Sequence, residues 1–224
     1  MAVALITGGT RGIGLACARA LRADGMRVAV CGRDAGHVAS AAAETDLARI
    51  CDVSDRDALG AFAGEVAGVL GGIDVVVANA GVLPAPTPVT ETAPDVWNRL
   101  LAVNLVGVSN TLAACIRHLR ASAGYAFVIG SVSGHEGEPG LGAYGSTKWA
   151  VRGLVQAFLR EEHAHGVRAT VIAPGLVDTD MGATVEAPGD PLPPEDVART
   201  VRWCLGLSRQ AIVREVLLER EAAL

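Results

Sequence analysis

Short apolar runs alternate along the chain with longer amphipathic stretches, and the two patterns predict different elements. Val3-Ile6, Arg27-Cys31, Leu47-Cys51, Ile73-Ala78, Ala126-Ile129 and Ala169-Ile172 are brief and rich in β-branched residues. Runs of this kind read as strands buried on both faces, the setting of a parallel sheet. Helical spacing covers about 12–23, 35–45, 55–70, 95–120 and 145–165. A last helix-then-strand unit follows at about 194–206 and 211–218, opened by Pro193-Pro194-Glu195-Asp196. Strict alternation of β and α elements implies right-handed crossovers and an α/β fold. The expectation is a single-domain, Rossmann-type, doubly wound parallel sheet of about seven strands over residues 1–224, with helices on both faces. No repeat or linker interrupts the alternation. The Pro/Gly-rich stretch from Gly182 to Pro194 is short enough to be a substrate-side loop, at about 176–193, rather than a boundary.

Composition narrows the function classes. Half of the 224 residues are apolar and 19% are charged, as in a compact, deeply buried sheet. A net charge of −5 and the lack of an arginine stripe argue against a nucleic-acid surface. Five cysteines, an odd number with no C-x-x-C pair, read as buried free thiols in a reducing compartment. The chain opens straight into the apolar run Ala2-Ile6, which leaves no room for a signal peptide. No apolar segment reaches the roughly 18 uninterrupted residues of a membrane span. A soluble, cytoplasmic protein with no membrane partner is expected.

Thr7-Gly8-Gly9-Thr10-Arg11-Gly12-Ile13-Gly14 follows the first strand and opens the first helix. Glycines there allow a tight turn and close backbone approach, while the helix N-terminus receives a pyrophosphate. The end of the second strand bears on the choice of nicotinamide cofactor. An acid there would bind the ribose 2′-hydroxyl of NAD, but the chain has Gly32 and then Arg33. Arg11 is close enough to converge on the same ribose, and two arginines suit a 2′-phosphate. NADP(H) is therefore favoured over NAD(H), with Asp34 a caution. Asp52, before Val53 at the end of the third strand, can meet the adenine amino group. Asn79-Ala80-Gly81 ends the fourth strand beside the cofactor.

Lys148 is the chain's single lysine, against eighteen arginines. A lone lysine in such a background marks a position where a planar guanidinium does not serve. It stands four residues after Tyr144, so ammonium and phenol share a helix face. An ammonium beside a phenol lowers its pKa and brings it into range for proton transfer.

These motifs together, Thr7-Gly8-x3-Gly12-x-Gly14, Asp52, Asn79-Ala80-Gly81, Asn104, Ser131, Tyr144-x3-Lys148 and Pro174-Gly175, resemble the short-chain dehydrogenase/reductase family in order and spacing. The resemblance covers essentially the whole chain. It implies that Tyr144 is the general acid/base and that Lys148 lowers its pKa and holds the nicotinamide ribose. It further implies that Ser131 orients the reacting oxygen and that Asn104 holds a water in the proton relay. Pro174, Gly175, Val177 and Thr179 would then contact the nicotinamide carboxamide. No metal belongs to this set. The family also commonly pairs helices such as 95–120 and 145–165 between subunits. Their apolar residues (Trp97, Leu100, Leu101, Leu105; Trp149, Leu154, Val155, Phe158) imply a homodimer or homotetramer.

Two features depart from the family pattern. The stretch between Thr179 and Pro194 is short for a large lid, although Met181, Val185, Pro188 and Pro191 can form a small apolar flap. Gly130 stands where a second serine is common, which is expected to loosen the strand end. Substrate-side residues are expected from 82–91, 132–143 and 176–192, among them Leu83, Val132, His135, Glu136, Leu141 and Met181. His135 and Glu136 read either as substrate contacts or as a solvated loop. The leading function is NADPH-dependent reduction of a small carbonyl compound, with reversible alcohol oxidation. The rivals are an NAD-linked alcohol dehydrogenase and a non-catalytic NADP(H)-binding sensor.

Overall fold

The structure, a computed structural model, describes residues 1–185 and 188–223. Seven strands form one sheet: β1 (Val3–Thr7), β2 (Arg27–Gly32), β3 (Leu47–Ile50), β4 (Val75–Ala78), β5 (Tyr125–Ile129), β6 (Arg168–Pro174) and β7 (Glu215–Leu218). Their order across the sheet is β3-β2-β1-β4-β5-β6-β7, and every neighbouring pair runs parallel. Between the strands lie α1 (Gly12–Ala23), α2 (Ala35–Ala42), α3 (Arg56–Leu70), α4 (Pro94–Leu100), α5 (Gly107–Ser122), α6 (Gly142–Glu162) and α7 (Pro194–Gly206).

Strand side chains alternate between two cores. Val3 and Leu5 join Leu59, Phe62, Leu112 and Val151 of α3, α5 and α6 on one face. Ala4 and Ile6 join Cys17, Leu21, Val38 and Val201 of α1, α2 and α7 on the other. Burial on both faces is why these strands read as continuous apolar runs. The chain runs outward from β1 to β3 and then crosses back to β4, so the strand order reverses between β1 and β4. A crevice opens at such a reversal, outside the carboxyl ends of the strands. That crevice holds the glycine turn after β1 and Asn79 after β4.

Local chemistry sets several helix ends. Asp34 caps α2 by accepting from the His37 amide, and Asp55 caps α3 by accepting from the Asp57 and Ala58 amides. Gly71 stops α3 in the left-handed conformation, which glycine adopts without steric cost.

The stretch expected as one helix at 95–120 is divided. Between α4 and α5, Leu101–Val106 winds as a π turn around the buried Asn104. A 3.6-residue period cannot anticipate such a widening, because the apolar positions continue through it. By length and composition, Pro94–Ser122 is apolar enough to cross a membrane, with a mean hydropathy of 1.5. Half of that apolar window is buried, and the helix packs on α3 and α6. Of the faces expected to pair between subunits, Leu100 and Val155 are covered within the chain, whereas Leu101 and Trp149 are exposed.

The expected loosening at Gly130 does not occur. Its amide donates to the Ile172 carbonyl at 2.7 Å, and a β-carbon there would sit 2.8 Å from Val171 Cγ1. A side chain at Gly130 would have to displace the Val171 methyl on β6.

Candidate active site

The cofactor end of the crevice is built from backbone. Gly8 has φ +62°, and a β-carbon on it would lie 2.8 Å from Ala80 Cα. One on Gly14 would collide with the Gly8 carbonyl oxygen. These glycines therefore let β1 turn tightly into α1 while β4 approaches. Asn79 fastens the same turn, its Nδ2 donating to the Thr7 and Gly8 carbonyls at 3.1 and 2.9 Å. The N-cap of α1, Arg11, makes no side-chain capping bond, and the first turn carries no acid. The positive end of α1 is thus open to an anion. An uncapped helix start facing a glycine cradle fits a pyrophosphate.

The two arginines expected at a 2′-phosphate both line the cavity, but both are engaged. Arg11 Nη1 pairs with Asp180 at 2.5 Å, with 54% and 74% of the two side chains exposed. Arg33 stands 3.6 Å from Asp52, which is also 3.5 Å from Arg99. Exposed pairs of this kind are worth about 0–1 kcal/mol, so a doubly charged phosphate can displace them. Asp52 also accepts from the Ser54 amide and hydroxyl. A contact from its carboxylate to an adenine amino group therefore requires it to yield part of this network. Asp34 is engaged by capping α2.

At the other end, Ser131 from the turn after β5 meets Tyr144 and Lys148 from α6. Ser131 follows β5, and Val132–Gly134 forms a 3-10 turn against α6. A β-carbon on Gly145 would lie 2.9 Å from the Ser133 carbonyl oxygen, so this glycine sets how closely turn and helix meet. Lys148 is 6% exposed, and its Nζ donates to the Ile129 carbonyl at 2.9 Å while lying 5.6 Å from the Tyr144 ring centroid.

Burial pushes the Lys148 ammonium down to about 8. It pushes the Tyr144 phenol up to about 12, with Ser131 pulling the phenol back and Glu138 adding to the rise. Any lowering of the Tyr144 pKa by Lys148 does not offset that rise. Desolvation outweighs any other influence on the phenol, and the ammonium is directed at a main-chain carbonyl.

Asn104 is fully buried and its amide is fully engaged. Its Oδ1 accepts from the Val82 amide at 2.8 Å, and its Nδ2 donates to the Val82 carbonyl and to Thr147 Oγ1. Its side chain thus braces the segment after β4. Thr179 Oγ1 accepts from the Gly182 amide, and a Val177–Leu192 bridge pins the loop after β6. Within that loop, Glu186 and Ala187 lie outside the described residues.

A single cavity of about 920 Å³ joins these parts. Of the residues expected at the site it is lined by Gly8, Thr10, Arg11, Gly12, Ile13, Arg33, Asp52, Val53, Asn79, Ala80, Gly81, Ser131, Tyr144, Lys148, Pro174, Gly175, Val177 and Thr179. Gly14 and Asn104 support it from behind. Leu83, Val132, Glu136, Leu141, Met181 and Val185 line the substrate end, whereas Pro188 and Pro191 do not. His135 is turned away from it, its Nε2 lying 2.9 Å from Glu215, which Arg152 also holds.

Ser133, Glu138 and Asp180 fall within the expected substrate-side ranges without being singled out by the sequence, and all three line the cavity. Ser133 donates to Glu138 Oε1 at 2.6 Å and receives the Ser131 hydroxyl at 3.3 Å. The only hint in the sequence is a carboxylate seven residues after Ser131. Among the described residues, no cluster of three or more His, Cys, Asp or Glu side chains could hold a metal ion.

Comparison with known proteins agrees with this geometry. The chain is 34% identical over 217 residues to carbonyl reductase family member 4 of Xenopus tropicalis, covering 91% of this chain and 90% of that protein. It is 32% identical to the glycine betaine reductase ATRR of Emericella nidulans, of which it spans only 18%. Among solved structures, an alcohol dehydrogenase of the archaeon Thermococcus sibiricus, complexed with 5-hydroxy-NADP, superposes with a TM-score of 0.89 at 36% identity. That match covers 97% of this chain and 96% of the archaeal one. The profile of the short chain dehydrogenase family matches residues 2–189, and the chain belongs to that family of oxidoreductases.

Proposed function

We propose that the protein reduces a carbonyl compound to an alcohol, reversibly, with NADP(H) as the cofactor and Tyr144 as the general acid/base. The observation that carries this reading is the convergence of Ser131, Tyr144 and Lys148 on one cavity whose far end runs along the glycine turn and Arg33. The uncapped start of α1 suits the pyrophosphate, and Arg33 with Arg11 suits a 2′-phosphate. Bound NADP(H) supplies the hydride. Ser131 and Tyr144 hydrogen-bond the reacting oxygen, and Tyr144, neutral well above physiological pH, donates its proton to the developing alkoxide. Lys148, buried beside Tyr144, holds the ribose and offers a positive charge close to the phenolate that remains. The Xenopus carbonyl reductase and the NADP-type ligand of the archaeal dehydrogenase support both halves of the reading.

The test is a panel of carbonyl compounds with NADPH oxidation as the readout, repeated with NADH. Turnover with NADPH at higher kcat/KM than with NADH is expected. Tight NADPH binding without turnover on any compound would favour a sensor. Turnover with NADH alone would favour the NAD-linked dehydrogenase. Five buried free thiols suit a reducing cytoplasm. The exposed Leu101, Val106 and Trp149 suit a homodimer or homotetramer, and sedimentation at micromolar concentration checks this.

A further inference from the structure

Glu138 stands at the substrate side of the cavity, in the segment between the Ser131 turn and α6. Its Oε1 accepts from Ser133 Oγ at 2.6 Å, and Ser133 accepts in turn from Ser131 Oγ at 3.3 Å. The carboxylate is therefore anchored two hydrogen bonds from the serine that faces the reacting oxygen. A carboxylate offers about four acceptor positions, so a single serine leaves acceptor capacity on a group that lines the cavity. No cation from the same segment neutralises it. The one basic side chain between 132 and 141, His135, is turned to Glu215. The Lys148 ammonium is directed at the Ile129 carbonyl, and Arg220, from the chain end, donates to the Pro188 carbonyl. Glu136, Asp178 and Asp180, the other titratable groups on the adjoining loops that line the cavity, are acidic as well.

We propose that Glu138 selects the substrate. Its carboxylate, facing the cavity beside Ser131 and Tyr144, favours carbonyl compounds that carry a hydroxyl or ammonium donor on the carbon next to the carbonyl and rejects those that carry a carboxylate there. The inference rests on the carbonyl-reductase reading and goes beyond it by naming a substrate class. A donor on that neighbouring carbon reaches the anchored carboxylate while the carbonyl oxygen lies between Ser131 and Tyr144. A carboxylate in the same position meets a like charge held in place by Ser133, which disfavours it even at an exposed position. That Glu138 raises the Tyr144 phenol supports this independently, since its field reaches the reacting group.

The test uses four phenyl ketones that differ only in the second substituent: hydroxymethyl, ammoniomethyl, ethyl and carboxylate. For the wild-type protein, kcat/KM at neutral pH should be highest for the two donors, lower for ethyl and lowest for carboxylate. Glu138→Gln keeps the size and an acceptor for Ser133 but removes the charge. It should shrink the ammoniomethyl-to-carboxylate ratio by about tenfold or more. Glu138→Lys should invert that preference. If the wild type reduces the ketones but the ratio stays within about twofold in Glu138→Gln, Glu138 is a brace for the loop and the inference is overturned. If the wild type reduces none of the four and no other carbonyl compound, the functional reading falls and the inference with it. The two failures are thus distinguishable.

Discussion

At the cofactor end of the cavity the polar groups hold the protein's own backbone, whereas at the substrate end a charged group faces open space. Asn79 clamps the Thr7 and Gly8 carbonyls, the Gly9 amide donates to the Cys31 carbonyl, and Asn104 pairs with both main-chain groups of Val82. What remains to meet a ligand there is a helix N-terminus, main-chain surface and the exposed side chains of Arg11 and Arg33. Glu138, by contrast, keeps acceptor capacity toward the cavity. The difference separates two tasks. A cofactor that does not vary is met by geometry that glycines and asparagines set, while a substrate is discriminated by side chains that can change without moving the frame. Between the two ends stand Tyr144 and Lys148, both desolvated.

The hardest blow to this division is to remove the proton donor. Tyr144→Phe should lower turnover by roughly 10²–10⁴-fold, the range of general acid–base catalysis. NADPH affinity should stay within a few fold, read by fluorescence titration. If affinity falls as steeply as turnover, the phenol belongs to the cofactor end after all.

Lys148→Arg should lose most of the activity while keeping the charge, because a planar fork cannot occupy the buried position beside the Ile129 carbonyl. The single lysine gives a second readout, since besides the N-terminus an amine-selective reagent has one target. Saturating NADPH should protect Lys148 from labelling, and unchanged labelling would show that the ammonium does not hold the ribose.

Lys148 also carries a stability signature. Its folded pKa of about 8 lies below the ordinary lysine value of 10.5, so between those values the unfolded chain binds the extra proton. Stability from this group therefore rises as pH climbs from about 8 to 10.5, and below 8 the buried ammonium costs up to about 3 kcal/mol. Lys148→Met should be more stable than wild type at neutral pH, and the gap should close toward pH 10.5 in denaturant titrations. Tyr144 acts in the opposite sense. With its pKa raised from 10.0 to about 12, it makes stability fall with pH across that interval. A gap that does not depend on pH would mean that Lys148 is solvated in solution.

Smaller effects concern the arginines. Arg33→Ala should weaken NADPH by about 1.5–3 kcal/mol, the scale of a hydrogen bond to a charged group, and leave NADH nearly unchanged. Asp180→Asn frees Arg11 and should tighten NADPH by no more than about 1 kcal/mol, as expected for an exposed pair. Equal losses for both cofactors in Arg33→Ala would remove the basis for an NADP preference.

Much of the site was legible because it sits at strand ends. The glycine turn, Asn79, Ser131 and Pro174-Gly175 each follow an apolar run, and a parallel sheet brings the carboxyl ends of its strands to one edge. The i, i+4 spacing of Tyr144 and Lys148 placed both on one face of α6. Glu138 was passed over in favour of His135 and Glu136, because nothing local tells that the two glutamates line the cavity while the histidine turns to Glu215.

By itself the sequence determined the alternation of strands and helices, the parallel sheet and the order of the motifs. Apolar period, glycine freedom and i, i+4 geometry are properties of neighbouring residues. The tertiary structure alone decided that Arg11 meets Asp180, that Asn104 sits in a π turn bonded to Val82, and that Gly130 packs against Val171 of β6. It alone decided, too, that burial drives the Tyr144 phenol up and the Lys148 ammonium down. Desolvation and long-range pairing depend on which distant segments close over a group, and periodicity along a chain carries no record of that.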